Sequence, residues 1–549
     1  MKLLNNNKIL VVIPARGGSK GIPKKNIRLM NGKPLINYSI ETALKSQYNI
    51  EVAVTTDDSE IAYLAEMYGA KVVKRTEELS TDEITLDPVI FHAVETIESL
   101  KGCMYDVVIT IQPTSPLLKS TTLDNAIKTY YDNDFDTLIS GTNSPHLAWG
   151  YEGNVLKPLY AERLNRQYLP KYFIETGSFV ITKREYVKSS SRFGPNVSIF
   201  EVPAKESIDI DTAHDWWVAE KELNRKKILL VVDGYSEIGL GHIYRCLSLA
   251  YNLLDHDIQF GLSTKSDIGL EKIKSSYFSY FTYSNEAELF RFIKNNEVDI
   301  VINDILNTEY QYIKNLKQLN VKVVNFEDLG TGIELADVVI NDLYEKSNEQ
   351  ANCYWGSEYY CVRDEFLITQ PAPFNEEVKE VLVLFGGTDP SNLTRKVLEA
   401  VNRFNNNSVH YTFVLGLGYP EKELIKSDIE KYELNADVVC DVKQMTKYMQ
   451  RADLAISSQG RTMYELALME VPTILIAQHE RETLHTFGEL KNGFINLGIG
   501  NNLNIETIEA TINWLNSCPQ IRLQMKEKMK NLNLKQGTKN VLDLIFKDK

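Results

Sequence analysis

Ile9-Leu-Val-Val-Ile-Pro-Ala-Arg-Gly-Gly-Ser-Lys-Gly21 sets a short β-branched run directly before a basic, glycine-rich turn. A buried strand that delivers the chain to a tight loop reads this way. The same order returns at Ile228-Leu-Leu-Val-Val-Asp233, ahead of Gly239 and Gly241, and a third time at Val381-Leu-Val-Leu-Phe-Gly-Gly387. Further apolar runs lie at Glu51 to Thr55, Val107 to Ile111, Asp299 to Asn303, Val321 to Asn325, Tyr411 to Leu415, Leu454 to Ser457 and Thr473 to Ala477. Between the runs, stretches such as Leu35 to Gln47, Tyr244 to Leu254 and Met463 to Met469 are long enough for crossover helices. The pattern predicts an α/β chain built on parallel strands.

At about 150 residues per domain, 549 residues exceed one core. A predicted helix, His214 to Leu223, ends in Arg225-Lys226-Lys227 just before the second strand-then-glycine start, and Gln370-Pro-Ala-Pro373 breaks the pattern before the third. The expected domains are therefore 1–225, 226–372 and 373–549. The first is a Rossmann-like domain, and the other two are Rossmann-like lobes with a cleft between them.

The net charge of −14 argues against a nucleic-acid partner, yet leaves room for a local cationic pocket around a phosphorylated small molecule. Six cysteines without a C-x-x-C pair offer neither a thiolate zinc site nor a disulfide framework, so a reducing, cytoplasmic compartment is expected. The run Ile9 to Ile13 is too short for a secretory signal, and no apolar run approaches the length of a membrane span.

The opening loop joins Gly17, Gly18 and Gly21 to Arg16, Lys20, Lys24 and Lys25. Glycines admit a close backbone approach and the cations neutralise phosphate, although the spacing is not that of a Walker loop and a plain basic turn is the alternative. Farther on, Ser207-Ile-Asp-Ile-Asp-Thr-Ala-His-Asp215 sets Asp209 and Asp211 two apart on a β-rich segment, predicting two carboxylates on one face. Such a pair suits Mg²⁺ or Mn²⁺ shared with substrate phosphates; the alternative is a strand end where Asp211 or Thr212 caps the next helix.

Together with Thr55-Thr-Asp-Asp-Ser-Glu-Ile-Ala62, Lys74-Arg-Thr-Glu-Glu-Leu-Ser-Thr-Asp82, His92-Ala93 and Ile111-Gln-Pro-Thr-Ser-Pro-Leu117, these motifs make residues 8 to 223 resemble the CMP-sialic acid synthetase family. That resemblance implies a cytidylyltransferase in which CTP lies over Arg16, Gly17, Gly18, Ser19, Lys20 and Lys25, with Lys25 also among the catalytic groups. Asn26, Arg75, Ser80 and Asp82 would surround the cytidine, and Asp209 and Asp211 would hold the metal. Gln112 would face the acceptor, a nonulosonic acid, and Arg166 would meet its carboxylate or the phosphates. The family's habit of pairing through the sheet domain implies a homodimer. Thr176 stands in Ile174-Glu-Thr-Gly-Ser-Phe179 where sialate-activating relatives commonly carry Asn, so pseudaminic and legionaminic acids join N-acetylneuraminate as expected acceptors.

In the second half, Val231-Val-Asp-Gly-Tyr-Ser-Glu-Ile-Gly-Leu-Gly-His-Ile-Tyr-Arg-Cys246 places Gly239, Gly241 and His242 in a strand-to-helix turn, with Arg245 three residues on. A helix N-terminus favours a neutral imidazole able to accept a proton. Gly386 and Gly387 could offer N–H groups to a pyrophosphate. Gly460 and Thr462 open a helix with Glu465 one turn inside, where it is either a ribose ligand or an ordinary helix glutamate.

The order Gly-x-Gly-His-x-x-Arg, Gly-Gly-Thr-Asp-Pro, Gly-Arg-Thr-x-x-Glu resembles the UDP-sugar hydrolase of pseudaminic acid biosynthesis, a two-lobed relative of MurG-type GT-B glycosyltransferases. The resemblance covers about residues 227 to 500. It implies that His242 activates water against a UDP-diacetamido-trideoxyhexose, with Gly239, Gly241, Arg245, Gly386, Gly387, Gly460, Thr462 and Glu465 binding the UDP-sugar. At Ala477-Gln-His-Glu-Arg-Glu-Thr-Leu-His485 the chain is more charged than those hydrolases, which tend to carry Asn-Gln. Glycosyl transfer and non-catalytic binding of a nucleotide sugar are the alternatives for this half. The expectation is a bifunctional enzyme of nonulosonic acid biosynthesis.

Overall fold

The computed structural model describes residues 8–18, 21–81, 83–235, 238–345, 350–404, 408–416, 418–440 and 442–547. The chain divides at the predicted seam into two compact units, Met1–Arg225 and Lys226–Lys549.

The first unit is built on a seven-stranded sheet in the order Val197–Glu201, Thr137–Asn143, Phe173–Lys183, Val107–Ile111, Ile9–Pro14, Ile50–Thr56, Lys71–Lys74. Phe173–Lys183 runs antiparallel to both neighbours and the other pairings are parallel. The opening run is buried on both faces because side chains alternate along a strand. Ile9, Val11 and Ile13 pack with Ile36, Ile40 and Ile127, while Leu10 and Val12 pack with Ile90, Val94 and Ile97. Segment 147–175 runs along the surface, with the hairpin Trp149–Glu152 and Val155–Pro158 and a turn at Arg166–Tyr168.

The second unit holds two wholly parallel sheets. One has seven strands with Lys227–Val232 between Asp257–Ser263 and Ile300–Asp304; the other has six with Glu380–Leu384 between His410–Leu415 and Leu454–Ser457. In all three sheets the strand before a glycine turn lies inside the sheet, and the strands that next join it on either side lead outward in opposite directions. Ligands bind α/β sheets in the crevice at the carboxyl ends of such strands. The three strand-then-glycine starts thus mark three such crevices.

The second lobe does not keep the whole of 373–549. The last helix, Gly537–Phe546, returns to the first lobe, where Val541 and Ile545 are buried with Ile228, Leu230 and Cys246, and Asn540 Nδ2 donates to the Glu358 carbonyl. Its apolar face covers the first lobe's sheet, a long-range pairing that local composition does not encode. Among the described residues no helix is long and apolar enough to cross a membrane.

Candidate functional sites

In the first unit the opening turn is clipped to the neighbouring strand. Gly17 N–H donates to Asp57 Oδ1 at 3.0 Å, and Asn26 Nδ2 donates to the Arg16 carbonyl at 3.0 Å. Arg75 is buried and donates to the Thr55 carbonyl at 2.9 Å. Burial pushes its guanidinium down to about 10, with Asp57 opposing and Arg16 adding to the effect. Ser80 closes a short turn by donating to the Thr76 carbonyl. Gly18 has open space where a side chain would stand. Ser19, Lys20 and Asp82 lie outside the described residues.

The expected strand at Asp209 and Asp211 does not form. Residues 207–212 are irregular, anchored by buried Ile210, whose N–H donates to the Thr114 carbonyl at 2.9 Å. The two carboxylates therefore differ in environment: Asp209 is half-buried and Asp211 exposed. Thr212, not Asp211, caps helix Ala213–Leu223 through a reciprocal box with Asp215, which leaves the Asp211 carboxylate uncommitted to the cap.

Lys25 crosses to this segment, donating to the Ile210 carbonyl at 2.6 Å with Nζ 3.4 Å from Asp211 Oδ1. Two glycines make the gathering possible. A side chain at Gly21 would sit 2.2 Å from the Asp211 carbonyl, and one at Gly177, whose φ is +69°, would meet Gln112 Nε2 and Asp209 Oδ2, each at 3.2 Å. Lys25, Gln112, Asp209 and Asp211 thus converge beside the opening loop.

Asp209 Oδ1 is buried with no hydrogen-bond partner. Burial raises this carboxyl and Asp211 adds to the rise, against Thr114 and Lys25. An orphaned buried oxygen beside a second carboxylate fits a hard divalent cation, which takes oxygen ligands and would restore the charged form.

Arg166 stands apart from these residues. It is exposed on the surface segment 147–175, and among the described residues no hydrogen bond or ion pair joins it to this cluster. The hydroxyl of Thr176 is likewise withdrawn, buried against Ser140 and Ser178.

In the second unit, helix Gly241–Tyr251 carries His242 in its first turn. His242 Nδ1 lies 2.6 Å from Asp304 Oδ1. A carboxylate only accepts, so Nδ1 carries the proton and Nε2 is left as an acceptor. Asp304 ends strand Ile300–Asp304; Glu327 and Asp342 follow the ends of the next two strands, Lys322–Phe326 and Val338–Asn341.

Arg245, expected at the UDP-sugar, lines the smaller cavity, and its fully buried guanidinium is engaged by carboxylates. Nε donates to Asp304 Oδ2 at 2.7 Å, Nη2 to Asp304 Oδ1, and Nη1 to Glu327 Oε1 at 2.6 Å and Asp342 Oδ1 at 3.3 Å. Burial pushes Asp304 and Glu327 up, but Arg245 and then His242 outweigh it and hold both below the ordinary range.

The glycine turns of both lobes line two adjoining cavities of about 170 and 200 Å³. The smaller is mostly apolar, walled by Leu240, Val414, Val442 and Met445, with Arg245, Arg363, Arg461 and Glu465 as its charged lining. Arg363 Nε donates to Glu465 Oε1 at 2.9 Å, so one oxygen of the expected ribose ligand is already paired. The larger is lined by more polar and charged side chains and holds His242 with Gly239, Gly241, Gly386, Gly387 and Gly460. Arg481 ties the lobes together across it, donating to the Glu327 carbonyl at 2.8 Å and the Tyr344 hydroxyl at 2.9 Å.

Glu482 is buried in the wall of the larger cavity and accepts from Gln478 N–H at 2.8 Å. Burial raises it to about 7, opposed by the Gln478 and Gln459 N–H groups and reinforced by Asp389. Asp304, Glu327, Asp342 and Arg363 escaped the sequence reading, while Arg461 and Glu482 stand in quoted motifs without a role assigned. For the three acids the signal was there, since each stands at or just after the end of a β-branched run.

The folds define a protein of two α/β units, a nucleotidyltransferase-like domain and a GT-B-like pair of parallel-sheet lobes. The chain belongs to the cytidylyltransferase family through the first. The profile described as Cytidylyltransferase matches residues 10–201, and that described as Glycosyltransferase family 28 C-terminal domain matches residues 381–541. CMP-N,N'-diacetyllegionaminic acid synthase of Legionella pneumophila is 33% identical over 40% of this chain and 100% of its own length. Pseudaminic acid cytidylyltransferase of Campylobacter jejuni is 34% identical over 38% and 93%. N-acylneuraminate cytidylyltransferase of Escherichia coli is 28% identical over 61% and 86%. Among solved structures, MurG of Acinetobacter baumannii matches 58% of this chain and 99% of its own at 16% identity, with a TM-score of 0.44.

Proposed function

We propose that Met1–Arg225 transfers CMP from CTP to a nonulosonic acid, releasing pyrophosphate, and that Lys226–Lys549 hydrolyses a UDP-diacetamido-trideoxyhexose to UDP and free sugar. For the first unit the reading is supported by the convergence of Lys25, Gln112, Asp209 and Asp211 at the strand ends, and by kinship with synthases named for legionaminic and pseudaminic acids.

The acceptor's anomeric oxygen bonds to the α-phosphorus of CTP as the bond from that phosphorus to pyrophosphate breaks. Arg16 and Lys25 would steady the triphosphate and Gln112 the acceptor, so that positioning and electrostatics carry the rate. Asp209 and Asp211 would hold Mg²⁺ or Mn²⁺, which when bound supplies neutralising charge to the phosphates. The test is pyrophosphate release from CTP with pseudaminic, legionaminic or N-acetylneuraminic acid; no release with any of the three refutes it.

For the second unit the reading is carried by the His242–Asp304 pair over the larger cavity. Nε2 takes a proton from water, the water oxygen bonds to the anomeric carbon, and the bond to the β-phosphate oxygen breaks as UDP leaves. The apolar cavity suits a nucleoside, with Glu465 facing a ribose, and the glycine turns suit a diphosphate. UDP release without an acceptor that depends on His242 supports hydrolysis.

Glycosyl transfer is the second reading, favoured by the family 28 match. The same base would then serve an acceptor hydroxyl, and sugar would appear on the acceptor instead of free. A non-catalytic module would bind UDP with turnover indifferent to His242→Ala.

A further inference from the structure

Arg461 stands just before helix Thr462–Leu468 in the glycine turn of the second lobe and lines both cavities. Its guanidinium nevertheless reaches into the first lobe. Nη1 donates to Glu327 Oε1 at 2.9 Å and to Asp342 Oδ1 at 3.3 Å, and Nη2 lies 2.9 Å from Asp342 Oδ2. Glu327 Oε1 and Asp342 Oδ1 are the same oxygens that Arg245 Nη1 contacts. Arg245 in turn grips both oxygens of Asp304, which holds His242 Nδ1. A continuous line of ionic contacts thus runs from the nucleotide turn of one lobe to the histidine of the other.

Three buried carboxylates, Asp304, Glu327 and Asp342, face Arg245. Arg245 alone leaves two negative charges in excess; Arg461 lowers the excess to one. An under-compensated buried carboxylate is strongly unfavourable and competes for whatever cation is near. With Arg461 sharing Glu327 and Asp342, Arg245 can commit Nε and Nη2 to Asp304.

We infer that Arg461 is a positioning residue for the His242–Asp304 pair: reaching into the first lobe from the turn Gly460-Arg461-Thr462, it completes the ion cluster that orients the base. The inference rests on the reading of His242 as a general base. The charged and titratable groups about His242 are Asp304, Arg245 and Glu327 from its own lobe, and Arg461, His479, Arg481, Glu482 and His485 from the other.

The test is UDP release by the full chain from UDP-2,4-diacetamido-2,4,6-trideoxy-altrose across pH, with UDP affinity by calorimetry, for wild type, Arg461→Gln and Arg461→Lys. Arg461→Gln should lower kcat about 10- to 100-fold, the scale of a displaced catalytic group, while UDP Kd stays within about threefold. Loss of the cation near the imidazole should move the acid limb of the kcat profile to higher pH. Arg461→Lys should keep the limb near its wild-type position and recover part of kcat, because charge is retained and the bidentate fork is not. UDP binding at wild-type affinity certifies the fold of each variant.

Three results would overturn the inference alone: an unchanged kcat and limb in Arg461→Gln, a loss of UDP affinity equal to the loss of turnover, or Arg461→Lys behaving as Arg461→Gln in both limb and rate. Absence of UDP release by the wild type would instead remove the general-base reading together with the inference.

Discussion

The two units handle carboxylates in opposite ways. In the first, Asp211 is exposed and Asp209 keeps a buried oxygen without a partner, its carboxyl raised by burial. In the second, Asp304, Glu327 and Asp342 are all buried, and Arg245 and Arg461 already compensate them. One site leaves its charge to be balanced by what it binds; the other offsets most of it from its own chain. The difference predicts which chemistry needs an added cation and which needs an intact ion cluster.

The largest effect should follow from Asp304→Asn. An amide can donate to His242 Nδ1 and stabilise the wrong tautomer, so UDP release should fall on the order of 10³- to 10⁴-fold with CTP-dependent pyrophosphate release unchanged. Equal loss in both assays would break the separation of the units.

Arg245→Met comes next. Leaving buried carboxylates without their cation should cost about 3–5 kcal/mol, seen as a lower Tm for the second unit's transition. A variant as stable as wild type would mean that the cluster tolerates its own charge.

Asp209→Asn and Asp211→Asn should each lower pyrophosphate release on the order of 10²- to 10³-fold and leave Tm nearly unchanged, since neither fills a core. Near-normal rates in both would remove the metal assignment.

The smallest effect concerns Glu482. Its folded-state pKa of about 7 lies above the ordinary carboxylate value of 4.5, so protonation favours the folded form. The stability it contributes is full below the ordinary value, declines as pH rises toward 7, and is gone once the folded group ionises. At most about 3 kcal/mol is involved. Melts of wild type and Glu482→Gln from pH 4 to 8 should show a steeper decline for wild type; parallel curves would refute it.

Much of this was legible in the sequence. The three strand-then-glycine starts, at Ile9, Ile228 and Val381, fix three crevices because a β-branched run buried on both faces can be little else, and a glycine turn after it sits where ligands bind. His242 was legible from its flanking glycines. Its partner was not, because Asp304 lies 62 residues away and only the adjacency of strands Lys227–Val232 and Ile300–Asp304 brings them together. Arg245 misled for the same reason: an arginine in a glycine motif reads as a phosphate ligand until the carboxylates at neighbouring strand ends are in place. The place of Arg166 was not legible, since a local pattern does not say that segment 147–175 is carried along the surface. The return of helix Gly537–Phe546 to the first lobe is a long-range pairing invisible to composition.

The most direct test of the contrast is one reaction vessel. The full chain is supplied with Mg²⁺, CTP, a nonulosonic acid and UDP-2,4-diacetamido-2,4,6-trideoxy-altrose, and both products are followed as EDTA is added in excess. Pyrophosphate release should stop while UDP release continues at its former rate. Pyrophosphate release that persists, or UDP release that stops with it, would contradict the contrast.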